Sequence, residues 1–344
     1  MIDDGTAVVN AQEPPTVGAS RAATDNRRRL VLVELALRYA LLLGLVAMVV
    51  IFAMTARGFT DVGNFKDIAL ASSIVAVVAV PSALLILSGF IDLSVGSSLA
   101  LGAMVAGMLM THHVSPWLAA PVGIAACAAV GAANGVLVCG LGLSSIVVTL
   151  GMLTFVRGLA LSISSSTIFG FPDGFTAVGR ADVLGVPFLA FVAGIVFALG
   201  WVFLEHTGWG RHVHAIGVNR EAAFLSGVAV RALPFWVFVA TGAAVGLAAV
   251  LYAARIASVT PAISGLGLEL DVLTAVLLGG VAFGGGKGKM SGVLLGVLFL
   301  GVLQNGLTLL NTPTAVALMV KGIALAVAAG LDIASGRVLT TRAA

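Results

Sequence analysis

Long apolar stretches, separated by short polar connections, make up most of the chain from Leu30 onward. Most have roughly 17 to 25 residues, the length at which a helix rising about 1.5 Å per residue crosses the hydrocarbon core of a bilayer. The pattern predicts ten membrane-spanning helices, at 30–56, 67–88, 97–111, 117–139, 145–164, 186–204, 232–254, 267–283, 290–310 and 314–332. The third and the eighth are short and rich in glycine. We therefore expect an all-α, polytopic transmembrane bundle.

The composition fits this picture. Of 344 residues, 60% are hydrophobic and 10% are charged, whereas a soluble protein carries about 25% charged residues. An ordinary soluble domain is therefore excluded. The net charge of +3 does not call for a nucleic-acid partner, because the basic residues stand at the ends of apolar stretches. Cys127 and Cys139 lie inside apolar runs and are interpreted as core side chains, not as a disulfide or a zinc site.

Lysine and arginine predict the orientation, because they accumulate in cytoplasmic connections. With the N-terminus inside, eleven of the 18 basic residues fall in inside segments and four in outside segments. The eleven are Arg21, Arg27, Arg28, Arg29, Arg211, Arg220, Arg231, Lys287, Lys289, Arg337 and Arg342, and the four are Arg57, Lys66, Arg180 and Arg255. Ten spans place both termini in the cytoplasm.

The polar ends of the chain complete the domain prediction. Residues 1–29 contain acidic side chains and the pair Pro14–Pro15, and they lack the early apolar core of a signal peptide. We expect a disordered cytoplasmic tail at 1–29, a transmembrane domain at 30–332 and a cytoplasmic C-terminal tail at 333–344. The long outside connection, 165–185, is expected to be a structured polar loop.

The long inside connection, 205–231, carries a helix signal of its own. Asn219 suits a helix N-cap, Glu221 falls in the first turn where a carboxylate suits the helix dipole, and Gly227 suits a C-terminal stop. These residues predict a helix of about two turns. Such a helix is too short to be stable alone in water, so it lies on lipid headgroups or docks on a partner protein. The residues alone favour neither.

Several motifs resemble a known family. Glu221-Ala222-Ala223, followed by Gly227, is similar to the EAA motif of the membrane subunits of bacterial ATP-binding-cassette (ABC) importers. The resemblance to ribose-type permeases extends over about 65–332. It rests on Gly89-x-Ile91-Asp92-Leu93-Ser94-Val95-Gly96, the lead-in from Gly208 to Asn219, Asn134-Gly135, Val148-Thr149-Leu150-Gly151, and Leu268-Glu269-Leu270-Asp271 running to Gly279-Gly280. Phe90 departs from this pattern, since the family commonly has glycine there.

The resemblance implies a permease subunit of the ribose/xylose/galactose type in the bacterial inner membrane. Such a subunit is not an enzyme and binds no cofactor or metal. It forms the pathway for a monosaccharide or related polyol delivered by a periplasmic or lipid-anchored binding protein, and it works with a second permease chain, identical or different. A separate ABC ATPase subunit uses the ATP and docks on the loop through Asn219, Arg220, Glu221, Ala222, Ala223 and Gly227. A branched-chain amino acid permease is the alternative, and an ion-coupled secondary transporter is a further one.

Five polar residues within or beside the apolar helices are candidates for the pathway: Asp92, Asn134, Thr149, Gln304 and Asn305. Asp92 either caps the third span or lies near the pathway. The other four either bond neighbouring helices or offer hydroxyl and amide groups to a sugar.

Charged residues at membrane depth are costly and each suggests a site. Arg157 is expected to reach outward to the membrane surface. Lys321 either pairs with Glu269 or Asp271, reaches outward, or contacts the substrate. His112-His113 is interpreted as a solvated turn.

The glycine-rich run 284–289 invites comparison with a phosphate-binding loop, which reads Gly-x-x-x-x-Gly-Lys-Ser/Thr. Val281 and Phe283 stand where the first glycine is needed, and Met290 follows Lys289 where a hydroxyl is needed. The run is therefore interpreted as a turn between the eighth and ninth spans. It follows that any ATP-driven transport requires a separate ATPase.

Overall fold

The computed structural model describes residues 41–340, with side chains up to residue 330. The predicted tail 1–29 and the first part of the first predicted span lie outside the described residues, as do residues 341–344.

Thirteen helices form the described part of the chain, and ten of them coincide with the ten predicted apolar segments. These ten are α1 (Leu41–Thr55), α2 (Val62–Leu87), α3 (Val95–Thr111), α4 (Pro116–Gly135), α5 (Ser145–Ile163), α7 (Phe188–His206), α10 (Ala232–Ile256), α11 (Leu268–Leu278), α12 (Met290–Leu309) and α13 (Thr314–Thr340). The other three are short and lie in connections: α6 (Asp173–Arg180), α8 (Gly208–Val218) and α9 (Arg220–Leu225). A π-helix at Val136–Gly140 extends α4.

Within residues 41–340, six helices are long and apolar enough to cross a membrane: α2, α4 with its π-helical extension, α5, α7, α10 and α12. Helix α11 has only 11 residues, so the eighth predicted span, 267–283, is wrong at its end. The helix stops at Leu278 because Gly279–Gly280 follows, and Gly280 adopts φ +78°, a left-handed conformation that ends helices. The chain is thus a polytopic bundle, although fewer helices meet the length criterion than the pattern predicts.

Two small antiparallel ribbons add to the expected all-α architecture. Strand β1 (Ile168–Phe169) pairs with β4 (Ser258–Val259), and β2 (Asp182–Val183) pairs with β3 (Val186–Pro187). The connection 165–185 is therefore structured, as predicted, since it holds β1, α6 and β2.

Helix α10 lies at the centre of the bundle and packs against α4, α3 and α2. Glycines let α4 and α10 approach backbone to backbone. A Cβ atom at Gly242 would lie 2.4 Å from the carbonyl oxygen of Cys127, and one at Gly131 would lie 2.3 Å from that of Phe238. Cys127 and Cys139 are buried and unpaired, which confirms their interpretation as core side chains.

Helix α2 defines the two ends of the bundle. Near its start, Lys66 forms an ion pair with Asp182 beside the ribbons. At its finish, the carbonyl of Leu87 accepts a hydrogen bond of 2.8 Å from the amide of Gly286. These points are about 30 Å apart along the helix, the thickness of a hydrocarbon core. We call them the ribbon end and the α9 end, because α8, which leads directly into α9, contacts Gly286 and Leu87.

Candidate functional site

Helix α9 is held at both of its ends by local hydrogen bonds. At the start, Oδ1 of Asn219 accepts a bond of 2.9 Å from the amide of Ala222. At the finish, the amides of Gly227 and Val228 donate to the carbonyls of Phe224 (2.9 Å) and Ala223 (3.0 Å), which is a Schellman motif. The short helix predicted within 205–231 is confirmed, and these caps explain why six residues hold a helical shape.

Glycine is favoured at position 227 by the backbone conformation there, and not by a lack of space for a side chain within this chain. It adopts φ +80°, a conformation that an L side chain disfavours. A Cβ atom there would meet no atom of the chain within 4 Å. A larger side chain would therefore strain the C-terminal cap without a clash inside the chain.

The outer face of α9 is unusually apolar for a connection. The side chains of Phe224 and Leu225 are 64% and 79% exposed, whereas Ala223 is buried against the bundle. Glu221 and Ala222 are exposed beside them. Exposed apolar side chains on a polar loop are typical of an interaction surface.

Arg220 turns from this face toward the body of the protein. Its guanidinium carbon lies 5.4 Å from the centroid of the Phe90 ring, within the range of a cation–π contact. Phe90 is 7% exposed and meets Phe238 of α10 edge to face at 6.1 Å. The sequence did not predict this contact, although Phe90 departs from the family pattern.

Helix α8 anchors α9 to the bundle through two close contacts. A Cβ atom at Gly217 would lie 1.9 Å from the carbonyl oxygen of Leu87, so α8 and the end of α2 touch. Nδ1 of His214 lies 3.1 Å from the carbonyl oxygen of Gly286. The run 284–289 is thus a turn, as predicted, and it braces α8. Glu205 adds a further tie, since its Oε1 accepts from the amide of Met290 at 3.3 Å.

Asp92 lies in a polar cluster with Ser94 and Asn134. One carboxylate oxygen accepts from the amide of Ser94 at 2.8 Å and from its hydroxyl at 2.6 Å. Nδ2 of Asn134 donates to the Ser94 hydroxyl at 3.0 Å and lies 3.3 Å from the second carboxylate oxygen. The expected capping of the third span is wrong, because neither Asp92 nor Ser94 bonds the helix amides through its side chain. Asp92 instead holds the turn before α3 and ties it to α4.

The five pathway candidates separate into two groups. Thr149 lies near the Asp92 cluster. Its hydroxyl donates to the carbonyl oxygen of Ser145 at 2.8 Å, and the hydroxyl of the same Ser145 accepts from the amide of Ile91 at 3.3 Å. Gln304 and Asn305 lie apart on α12. Nδ2 of Asn305 donates to the amide oxygen of Asn64 at 2.8 Å, a bond between helices.

Arg157 and Lys321, which the sequence placed within spans, both have protein partners. Nζ of Lys321 lies 2.9 Å from a carboxylate oxygen of Asp271, which confirms the pairing alternative. The guanidinium of Arg157 donates to the carbonyls of Pro261 (2.7 Å) and Ser264 (2.8 Å). The loop before α11 therefore holds this side chain through two carbonyl acceptors that the sequence did not predict.

The first turn of α3 meets the segment before α11 inside the bundle. A Cβ atom at Gly96, in that first turn, would lie 2.3 Å from the carbonyl oxygen of Gly265 and 2.2 Å from the carboxylate of Glu269. The start of α3 and the segment before α11 therefore meet backbone to backbone. Among the side chains that the structure describes, no group of His, Cys, Asp and Glu is placed to hold a metal ion.

Comparison with known proteins places this architecture in a family. The family model described as "Branched-chain amino acid transport system / permease component" matches residues 64–329. No solved structure matches the chain.

Curated relatives cover nearly the whole bundle. The ribose import permease protein RbsC of Escherichia coli K12 is 35% identical over 298 residues, which is 85% of this chain and 92% of that protein. The D-allose transport system permease protein AlsC of the same organism is 35% identical over 298 residues, 86% of this chain and 91% of that protein. The L-arabinose transport system permease protein AraH of Escherichia coli K12 is 33% identical over 299 residues, which is 86% of this chain and 90% of that protein. The chain therefore belongs to the family of branched-chain amino acid transport system permease components and is a multi-pass membrane protein.

Proposed function

We propose that this chain is the permease subunit of an ABC importer and forms the pathway for a monosaccharide or a related polyol. The family model is named for amino acids, but the relatives that match most of the chain are named for ribose, D-allose and L-arabinose. An extracytoplasmic binding protein delivers the solute. The chain is not an enzyme and binds no cofactor, and a separate ATPase subunit uses the ATP.

The surface of α9 is the observation that carries this proposal. Its two capped ends fix a short helix, and Phe224 and Leu225 present 64% and 79% of their surface outward. An apolar pair of this kind suits a groove in a partner protein. Helix α8 packs against α2 and the 284–289 turn and leads directly into α9, so a movement of α9 is transmitted to the bundle through α8. The residues Asn219, Arg220, Glu221, Ala222, Ala223 and Gly227 form the coupling site, with the Arg220 guanidinium over the Phe90 ring.

We also propose ten spans with both termini in the cytoplasm of a bacterial inner membrane. The α9 end carries Arg211, Arg220, Arg231, Lys287 and Lys289, the excess of basic residues expected on a cytoplasmic face. The tails 1–29 and 333–344 then lie on the same side, and a second permease chain completes the pathway.

A cysteine at Ser226, which is exposed beside α9, tests the orientation. We expect Ser226→Cys to resist membrane-impermeant thiol reagents in intact cells and to react in inverted vesicles. A cysteine at Leu184, 98% exposed at the ribbon end, serves as the matched control with the opposite pattern. Labelling of Ser226→Cys in intact cells would overturn the orientation.

The substrate class is tested by uptake through the complete complex in cells that lack other importers. We expect uptake of at least one of D-ribose, D-allose and L-arabinose, and none of L-leucine. Leucine uptake without sugar uptake would favour the branched-chain amino acid alternative. Sugar uptake that persists without the ATPase would favour an ion-coupled transporter.

A further inference from the structure

Two adjoining cavities lie among α2, α11, α12 and α13, away from α9. The outer cavity has a volume of about 570 Å³, and its mouth is at the connection between α12 and α13. The inner cavity is about 70 Å³ and lies against α2 and α11. Gln304 and Lys321 line both cavities, so the two are neighbours separated by these side chains, and the smaller one lies deeper. We call the two together the α12–α13 cavity.

Polar groups are concentrated along this cavity although its walls lie within membrane helices. The ion pair of Lys321 and Asp271 borders it, and these side chains are 23% and 27% exposed. Thr308 lines the outer part and Ser72 the inner part. A charged pair held at membrane depth is costly compared with apolar side chains. Its retention beside open space indicates a polar content for that space.

Some of these groups have unused hydrogen-bonding capacity. The hydroxyl of Ser72 is buried and has no hydrogen-bond partner among the described residues. The amide nitrogen of Gln304 lies 3.5 Å from the Thr308 hydroxyl, at the limit of a hydrogen bond. The Ser72 hydroxyl and the Gln304 amide can therefore bond another polar molecule without breaking a strong hydrogen bond within the chain.

The charge and the size of the cavity select a class of ligand. The opposite charges of Lys321 and Asp271 cancel, so an anion or a cation gains no net attraction. The lining as a whole offers both donors and acceptors, from ammonium, carboxylate, amide and hydroxyl groups. This mixture matches a neutral molecule with several hydroxyl groups, which both donate and accept. A volume of about 570 Å³ falls in the usual range of small-molecule sites.

The geometry points to the α12–α13 cavity as a binding site for an uncharged polyhydroxylated solute within the translocation route, entered from the ribbon end. Gln304, Lys321 and Asp271 are the contact residues. Lys321 lies seven residues after Thr314 at the mouth, about 10 Å along the helix, so the solute passes well below the surface. The inference rests on the proposed sugar import, because it assigns a site to that solute.

Cysteine protection tests the site directly in the complete complex, in right-side-out vesicles. We expect Gln304→Cys to react with a charged, water-soluble thiol reagent and to be protected by at least one of D-ribose, D-allose and L-arabinose. Ile323→Cys, exposed on the apolar outside of α13, is the control and should not react. The parent chain is the blank, because its two cysteines are buried.

The labelling outcomes separate this inference from the proposed function. If the complex imports a sugar but no sugar protects Gln304→Cys, the site is wrong and the function stands. Absence of labelling at Gln304→Cys also overturns the site. If the complex imports none of the sugars, the proposed function fails on the uptake measurement itself.

An apolar replacement of the ion pair distinguishes binding from structural pairing. A paired double change such as Lys321→Met with Asp271→Leu leaves no unpaired charge, so the fold should survive. We expect sugar uptake to fall by about 10-fold or more, since hydrogen bonds to charged groups are lost, while the ATPase still co-purifies. The matched control is Lys66→Met with Asp182→Leu at the ribbon end, which should import normally. Normal uptake by the first double variant would overturn the site.

Discussion

The α9 loop and the Asp92 cluster use polar residues in opposite ways. In the loop, Asn219 and Gly227 satisfy the helix ends locally, which leaves Phe224 and Leu225 free to face outward. In the cluster, Asp92 and its partners bond one another inside the bundle. The hydrogen bonds of the loop therefore stabilise a short helix that presents an apolar surface, whereas those of the cluster join α3 to α4.

This contrast separates two kinds of variant. Changes inside the bundle should lower stability and abolish transport together. Changes on the α9 surface should leave stability unaltered and weaken only the association with the ATPase. Each variant below tests that separation, and the expected effects decrease in order.

The largest effect is expected for Gly242→Leu. Its side chain would enter the backbone contact between α10 and α4, where a Cβ atom alone would lie 2.4 Å from a carbonyl oxygen. We expect destabilisation of about 3 kcal/mol, measured by thermal unfolding in detergent. Gly194→Leu on α7 is the control, because a Cβ atom at Gly194 would meet nothing within 4 Å. Equal melting temperatures of the two variants would contradict the packing.

Phe224→Ser should give the next largest effect, on association alone. Loss of an exposed aromatic anchor should weaken ATPase binding by about 2 kcal/mol, measured by co-purification and by titration. The melting temperature of the free chain should not change, because the side chain is 64% exposed. Leu184→Ser at the ribbon end is the control. A fall in stability equal to that of Gly242→Leu would break the comparison between loop and bundle.

Gly227→Leu should have an intermediate effect through the backbone. The left-handed conformation at φ +80° costs an L side chain about 1–2 kcal/mol, so the cap of α9 should loosen and uptake should fall. Gly227→Asn is the informative companion, because asparagine tolerates this conformation. Retained co-purification with Asn but not with Leu supports a conformational role. Equal loss with both indicates a steric role in the groove of the partner.

Arg220→Gln should have the smallest effect. It removes the charge over the Phe90 ring, a contact that contributes about 0.5–1 kcal/mol at a partly exposed site. If this contact passes the movement of α9 to the bundle, hydrolysis should continue with fewer solute molecules imported per ATP. Phe90→Leu should give the same ratio, and the double variant should add nothing further. Independent, additive losses would show that the two residues act separately.

The sequence predicts local features well and distant pairings poorly. The caps of α9 involve residues three to five positions apart, so the local sequence is enough to predict them. The bond between Asn134 and Asp92 was not predicted, because the two residues are 42 positions apart. The carbonyl partners of Arg157 were not predicted for the same reason, since Pro261 is 104 positions away. The pairing of Lys321 was open until the fold placed Asp271 beside it.

The predicted end of the eighth span was wrong because backbone conformation, and not hydropathy, determines where that helix ends. Apolar residues continue beyond Leu278, so hydropathy extends the eighth span, but Gly280 turns the chain at φ +78°. The close approach at Gly96 is equally invisible, because it depends on Gly265 of a distant segment.

The dependence of solute uptake on the ATPase tests the central claim most directly. The chain is reconstituted in liposomes with its ATPase and the loaded binding protein, and uptake of radiolabelled D-ribose, D-allose or L-arabinose is measured with and without ATP. The account predicts uptake only with the ATPase and ATP present, and its loss with Phe224→Ser. Uphill uptake by the chain alone, driven by a proton or sodium gradient, would contradict it.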